Sequence, residues 1–270
     1  MKSVQPLQNV ITTRRAAAAL VTAALLVPLA ACGKSDDTKD TGGAKKDGQK
    51  TELTVLAAAS LTDVFKTAGA AYEKDHPGTT VKFSFAGSQE LAAQVKQGSP
   101  ADALVTADTK TMDRLKADTG SSTVIAKNRL VIAAGKGNPK NLKDLKDLAK
   151  SDLKVVLAAP EVPVGRYSQQ VLDGQKVTVK PVSQEPNVRA VLSKVELGEA
   201  DAGIVYKTDI TAADGKAEGI DIPDAQNAIA SYPAATLKES KNTDAAAEFV
   251  KWLSTPEAQK ILLDAGFQKA

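Results

Sequence analysis

Short apolar runs alternate with amphipathic segments along most of the chain. The first run, 53–58, is almost entirely apolar, as expected for a strand that is buried on both faces. From Ser60 onward apolar residues recur at helical spacing, and Pro77-Gly78 ends that segment. The same order of strand and helix returns several times, so the pattern predicts an α/β fold with parallel sheets covered by helices on both faces.

The predicted strands share a short apolar or alternating pattern and comprise 53–58, 81–85, 103–105, 130–134, 155–158, 177–182, 202–206 and 232–237. The predicted helices begin near residues 60, 88, 110, 143, 166 and 188, and two further helices finish the chain. The last of these starts at Ser254-Thr255-Pro256, with proline in the first turn.

Four extended segments lead directly into turns and helix starts. The residues at these points are Ser60, Ser88, Val164-Gly165 and Asn187-Val188. In an open α/β sheet such positions lie at the carboxyl ends of the strands, where ligands bind. Each helix start exposes unpaired backbone N–H groups at the positive end of the helix dipole. Gathered around one cleft, they would form an anion site that needs no Lys or Arg.

Each of these positions also has a purely structural interpretation. A serine at a helix start is commonly an N-cap, and Asp63 is placed as the acid of a capping box after the first serine. Gly165 can be an ordinary turn glycine, and Tyr206 can fill the core at the end of its strand. Arg166 and Arg189 either steer anions or are simply solvated. No single residue decides between these interpretations.

The first 50 residues differ from the rest of the chain. Arg14-Arg15 precedes an uncharged run of mostly Ala and Leu, 16–31, which is the layout of an export signal. That run ends in Leu29-Ala30-Ala31-Cys32 and matches the lipobox of bacterial lipoproteins. We therefore predict a signal peptide over 1–31, lipidation of Cys32 and a flexible polar tether within 32–50. A plain secretory signal and a twin-arginine signal remain alternatives.

Composition removes several classes of function. The net charge is only +3, the charges are interspersed and aromatic residues make up 4%, which argues against a nucleic-acid-binding surface. The chain has one Cys and one His, too few for a usual zinc site. A Ser-His-Asp triad would have to use His76, which we interpret as a surface-loop residue, and no Gly-x-Ser-x-Gly motif is present.

Motifs spread over the whole mature chain resemble the periplasmic molybdate-binding family. Those motifs are, in order, Ala57-Ala58-Ala59-Ser60-Leu61, Phe85-Ala86-Gly87-Ser88, Pro100-Ala101-Asp102, Val162-Pro163-Val164-Gly165-Arg166-Tyr167, Asn187-Val188-Arg189-Ala190, Gly198-Glu199-Ala200-Asp201-Ala202-Gly203-Ile204-Val205-Tyr206 and Ala265-Gly266-Phe267. Taken together and in this order they are specific, whereas the first alone would be weak.

The resemblance implies a two-lobed periplasmic-binding-protein-like fold of type II, with two strand crossovers between the lobes. Lobe 1 would comprise 51–128 and 229–270, and lobe 2 would comprise 129–228. The protein would be a monomeric, lipid-anchored receptor on the extracytoplasmic face of the cell membrane. It would deliver molybdate or tungstate to the permease of an ABC importer, without a cofactor and without nucleic acid.

By the same resemblance, the oxyanion would be held by the hydroxyl groups of Ser60, Ser88 and Tyr206. Backbone N–H groups of Val164 and Val188 would add to them. The family often has Ala where this chain has Val164, which leaves the size of the pocket open. Because the main chain makes that contact, binding should tolerate the difference.

The chemistry of the ligand is consistent with such a site. Molybdate at neutral pH is a dianion with four acceptor oxygens and no proton to donate, so a lining of donors suits it. Protonated phosphate would lack an acceptor for its O–H. Sulfate has the same charge and shape and stays an alternative ligand, as does an organic acid, although a carboxylate would normally be bound by Arg. Two further alternatives are an enzyme on the same scaffold and an adhesive surface lipoprotein. The shortage of His and Cys argues against the enzyme, and the clustered donors argue against the adhesive protein.

Overall fold

A computed structural model describes residues 50–270. The predicted signal peptide, Cys32 and nearly all of the predicted tether therefore lie outside the described residues. Among the described residues, no helix combines the length and apolar character needed to cross a membrane.

Nine strands and eight α-helices follow one another along the described chain. The strands are β1 (Thr51–Ala58), β2 (Thr79–Ala86), β3 (Ala103–Val105), β4 (Thr123–Gly135), β5 (Val155–Ala158), β6 (Ser183–Glu185), β7 (Ala202–Tyr206), β8 (Ala217–Asp221) and β9 (Ile229–Thr236). The helices are α1 (Thr62–Asp75), α2 (Ser88–Lys96), α3 (Thr109–Asp113), α4 (Pro163–Gly174), α5 (Val188–Glu196), α6 (Lys207–Ala212), α7 (Thr243–Trp252) and α8 (Pro256–Asp264).

The sheet has two halves that share the long strand β4. Its strand order is β2-β1-β3-β9-β4-β7-β5-β6, and β8 also pairs with β4. Residues Thr123 to Arg129 of β4 pair with β9, whereas from Leu130 onward the strand pairs with β7 and β8. The chain thus passes from the first half to the second within β4, and it returns to the first half at β9.

The predicted parallel pairing is found in each half of the sheet, but other strand pairs are antiparallel. β1 pairs in parallel with β2 and β3, and β5 pairs in parallel with β6 and β7. β4 and β9, however, run antiparallel to their neighbours. Both strands carry the chain from one half of the sheet to the other. Each therefore enters the sheet from the end opposite to that at which the neighbouring strands begin. The buried runs that predicted β1, β5 and β7 are confirmed as strands packed within the core.

Several predicted boundaries need correction. The segment 177–182 is not a strand; the paired strand β6 follows it. The segment 143–149 forms only a 3-10 turn, Leu145–Ala149. α6 and β8 were not predicted, because Lys207–Ala212 is short and Ala217–Asp221 is mostly polar or exposed. α8 does begin at Pro256 as predicted, with the Thr255 hydroxyl accepting from the N–H of Ala258.

Candidate ligand-binding site

One cavity lies where the carboxyl ends of four strands meet. The strands β1, β2, β5 and β6 all end beside it, and the turns and helix starts after them form its wall. The empty space inside it is about 210 Å³, part of which is open to solvent. The residues that line it are Ala58, Ala59, Ser60, Ala86, Gly87, Ser88, Ala107, Val162, Pro163, Val164, Asn187, Val188 and Tyr206.

All five residues predicted for the ligand site line this cavity. Ser60 and Ser88 come from the first half of the sheet, and Val164, Val188 and Tyr206 come from the second. Each is at most 4% exposed. Among the described residues, the cavity lining contains no Lys, Arg, Asp or Glu, so the polar groups at its wall are hydroxyl groups, backbone amides and the amide side chain of Asn187.

The two serines do not cap helices. Ser60 lies inside a 3-10 turn, Ala59–Leu61, and α1 begins only at Thr62, without a side-chain cap. Ser88 is the first residue of α2, after Gly87 as N-cap. The predicted capping box at Asp63 is therefore wrong. Both hydroxyl groups are left for other partners, and both serines line the cavity.

Each serine hydroxyl already has one partner on its protein side. The backbone N–H of Ala107 donates to Ser88 Oγ over 3.0 Å. Because Ser88 accepts this bond, its own proton is free to be donated into the cavity. Ser60 Oγ lies 3.0 Å from the hydroxyl oxygen of Tyr232.

Helix starts supply backbone donors to the same cavity. Val164 and Gly165 follow Pro163 in the first turn of α4, and Val188 is the first residue of α5. First-turn N–H groups have no acceptor within their own helix. In α5 the Asn187 side chain accepts from the N–H of Ala190 and leaves that of Val188 unbonded by the cap.

Gly165 is not an ordinary turn glycine. It lies in the first turn of α4, and a Cβ built on it would come within 2.1 Å of the carbonyl oxygen of Ala159. Only glycine lets α4 start this close to the end of β5.

Tyr206 carries the most unusual polar atom of the site. Its side chain is 1% exposed, and among the described residues its hydroxyl oxygen is buried without a hydrogen-bond partner. Burial, reinforced by Tyr232 and other nearby groups, raises the pKa of Tyr206 well above its ordinary value. The group therefore keeps its proton and can act as a donor. A buried polar group without a partner is costly, and a bound acceptor would remove that cost.

Arg166 and Arg189 neither point into the cavity nor stand free in solvent, so neither sequence interpretation holds. The Arg166 guanidinium donates to the carboxylate of Asp108 and, over 2.9 Å, to the hydroxyl of Thr111. These contacts join α4 to the start of α3. Arg189 likewise donates hydrogen bonds to two carboxylates, that of Asp209 over 2.8 Å and that of Asp63 over 2.7 Å.

The ion pair between Arg189 and Asp209 lies beside the cavity. Burial raises the pKa of Asp209 to about 6, although Arg189 opposes the shift. For Arg189, burial acts to lower the pKa, but Asp209 and Asp63 outweigh it and the net shift is upward. The buried carboxyl has the larger desolvation cost, because the Arg189 side chain remains 24% exposed while that of Asp209 is fully enclosed.

The two halves of the sheet approach each other closely at Gly87. A Cβ at this position would lie 2.4 Å from the carbonyl oxygen of Pro186, in the turn before α5. The Gln89 side chain donates to the same carbonyl over 2.7 Å. Gly87 therefore permits the contact that closes this side of the cavity.

Sequence reasoning missed Tyr232, Ala107 and the Gly87–Pro186 contact. Tyr232 and Ala107 contact serines that are distant in the chain, and no local pattern marks such pairs. The motif Phe85-Ala86-Gly87-Ser88 did contain the glycine, but not its partner. Among residues 50–270, no group of three or more His, Cys, Asp or Glu side chains could hold a metal ion.

Residues 53–268 match the family model described as bacterial extracellular solute-binding protein. The molybdate-binding protein ModA of Mycobacterium tuberculosis H37Rv is 37% identical over 93% of this chain and 96% of its own length. The putative ABC transporter substrate-binding lipoprotein YvgL of Bacillus subtilis is 33% identical over 92% of this chain and 95% of its own.

Among solved structures, the periplasmic molybdate-binding protein of Azotobacter vinelandii has a TM-score of 0.70 at 23% identity, over 81% of this chain and 99% of that one. At this identity the likeness concerns the fold. It confirms the predicted two-lobed, periplasmic-binding-protein-like α/β class.

Proposed function

Because the chain belongs to the bacterial extracellular solute-binding protein family, we propose that it captures molybdate or tungstate outside the cytoplasm and delivers it to an ABC importer. It is a solute-binding protein and not an enzyme, and the oxyanion is its ligand rather than a cofactor. The observation that carries the proposal is the buried hydroxyl of Tyr206, which has no hydrogen-bond partner among residues 50–270, in a cavity whose wall also includes two serines and two helix starts. Relatives named for molybdate binding support the choice of ligand.

In the proposed complex the ligand accepts hydrogen bonds from the hydroxyls of Ser60, Ser88 and Tyr206 and from the N–H groups of Val164 and Val188. A hydrogen bond to a charged group contributes about 1.5–3 kcal/mol net. Five such bonds give roughly 7.5–15 kcal/mol, of the order of the ~8 kcal/mol that micromolar binding needs. The ligand is fully ionised, so it needs no acceptor from the protein, and the described part of the chain contributes no carboxylate to the lining, which fits this.

We place the lobe boundaries at 51–128 with 229–270 for lobe 1, and at 129–228 for lobe 2. The change of partner of β4 between Arg129 and Leu130 supports this division. The anion then binds between the lobes, with serines from one and backbone donors from the other. The closed, monomeric protein docks on the permease.

Titration calorimetry of the purified protein with molybdate, tungstate, sulfate and phosphate tests the function. We expect heat from the first two and little from phosphate. Ser60→Ala and Ser88→Ala should each weaken binding about 10- to 150-fold, whereas Ser240→Ala should bind normally. Ser240 is the matched control because its hydroxyl bonds Asp102, outside the cavity. A flat response to molybdate and tungstate would refute the proposal, and a response to sulfate alone would favour that alternative.

The protein is proposed to be held at the membrane by acyl chains on Cys32. The lipobox and the name of the Bacillus subtilis relative support this anchor. Metabolic labelling with a fatty-acid analogue should mark the wild type and a Ser35→Ala control, and it should not mark Cys32→Ala. Continued labelling of the Cys32 variant would rule out this anchor.

A further inference from the structure

Tyr232 lies directly behind two of the proposed ligand donors without lining the cavity itself. Its side chain in β9 is fully buried, and its ring packs edge-on against Tyr206, with the ring centroids 5.9 Å apart. Its hydroxyl oxygen is 3.0 Å from Ser60 Oγ. The contact joins residues 172 positions apart, so it is made by the fold and not by local sequence.

The direction of the bond between Tyr232 and Ser60 matters for an anion. A serine hydroxyl has one proton and can donate only once. If Ser60 donates to Tyr232, its lone pairs face the cavity and repel a dianion. If Tyr232 donates to Ser60, the serine proton is free to point at the ligand. The distance alone does not select between these arrangements.

Burial selects the second arrangement. The Tyr232 side chain is fully buried, and among the described residues its hydroxyl has one hydrogen-bond partner, Ser60 Oγ. A buried donor without an acceptor is costly. If Ser60 donated, the Tyr232 proton would have no acceptor among these residues, so Tyr232 donates and the proton of Ser60 is left for the cavity.

Burial raises the pKa of Tyr232 far above its ordinary value, so the phenol stays protonated and remains a donor at physiological pH. The Tyr232 hydroxyl therefore donates to Ser60 Oγ. This bond lies inside the protein, and the ligand takes no part in it.

We propose that Tyr232 is a positioning residue for anion binding, donating to Ser60 Oγ so that the Ser60 proton is directed into the cavity. The proposal rests on the proposed function of the same site. Tyr232 and Ser60 then form a relay of hydrogen bonds in which each member donates toward the ligand.

Calorimetry with molybdate on Tyr232→Phe tests the relay. The substitution removes one oxygen and keeps the ring. We expect roughly 3- to 10-fold weaker binding, the effect of losing one neutral buried hydrogen bond. Tyr72→Phe is the matched control, since Tyr72 is also a buried tyrosine but packs against Phe249 and Trp252, outside the cavity. Affinity like that of wild type in Tyr232→Phe overturns the proposal.

A double-mutant cycle separates positioning from general loss of structure. If Tyr232 acts through the Ser60 hydroxyl, Tyr232→Phe should change the affinity of Ser60→Ala by less than about twofold. A full additive loss in that background would show that Tyr232 acts on the cavity in another way and would overturn the relay. If wild type itself binds neither molybdate nor tungstate, the proposed function fails and the relay with it. If the wild type binds and Tyr232→Phe binds with the same affinity, only the relay fails.

Discussion

Removing the Tyr206 hydroxyl should lower ligand affinity without lowering the stability of the ligand-free protein. In Tyr206→Phe the ring is kept, so the packing against Tyr232 is preserved. The hydroxyl lost is the one that has no partner within the described protein. Most substitutions at buried positions destabilise a protein, and the opposite sign here follows from that missing partner.

The expected changes in affinity and in stability both follow from the hydroxyl oxygen of Tyr206, considered with ligand bound and without it. With ligand bound, the hydroxyl donates to a charged oxygen, a bond worth about 1.5–3 kcal/mol, so affinity should fall roughly 10- to 150-fold. Without ligand, an unsatisfied buried hydroxyl costs about 1–3 kcal/mol, which Phe does not incur. Opening of the cavity lets water reach the hydroxyl and offsets part of that gain. We therefore expect the melting temperature of the ligand-free variant to be unchanged or higher by up to about 6 °C.

Calorimetry for affinity and thermal unfolding without and with molybdate measure both quantities. The stabilisation by ligand should shrink in the variant in proportion to its affinity. Tyr72→Phe serves as the control for removing a phenolic oxygen away from the cavity. A ligand-free melting temperature several degrees below that of wild type would show that the hydroxyl has a partner in the empty protein. Unchanged affinity would remove Tyr206 from the site.

Two further substitutions probe the surroundings of the cavity. Gly87→Ala places a Cβ against the carbonyl of Pro186 and should weaken molybdate binding roughly 5- to 150-fold, the cost of overpacking. An affinity within twofold of wild type, measured by calorimetry, would contradict this prediction. Asp209 has a pKa raised to about 6, so the folded protein binds its proton more tightly than the unfolded chain does. Relative to Asp209→Asn, the wild-type free energy of unfolding should therefore fall by about 2 kcal/mol as pH rises from 4 to 6. Urea unfolding that gives the same difference in free energy between wild type and variant at both pH values would refute this.

The sequence predicted those elements of the fold that are specified locally. Apolar runs identified β1, β5 and β7, and Asn187 identified the start of α5, because burial and capping leave a pattern within a few residues. The antiparallel course of β4 and β9 could not be predicted, since it depends on pairing between segments far apart in the chain. The short, polar β8 carries no apolar pattern at all.

The five candidate ligand residues could be named in advance because they follow strand ends and recur in the motifs of a known family. Their supporting contacts could not. The local sequence indicates that Ser60 is an N-cap, but its hydroxyl is hydrogen-bonded to Tyr232 on the last strand. The sequence indicates that Arg166 and Arg189 are solvated or steering cations, but they form ion pairs with Asp108 and Asp209. These pairings depend on how distant elements are brought together.

The return of the chain at β9 affects the order in which the fold can be completed as the chain is synthesised. β3 and the first part of β4 have no hydrogen bonds to each other and are joined only through β9, which belongs to the last fifth of the sequence. A chain emerging N-terminus first therefore presents β1 to β3 with an unfilled edge until that late segment arrives. Residues 129–228 can assemble their own β4–β7 and β5–β7 pairings earlier. The part of the molecule that is synthesised first is thus the part that finishes folding last.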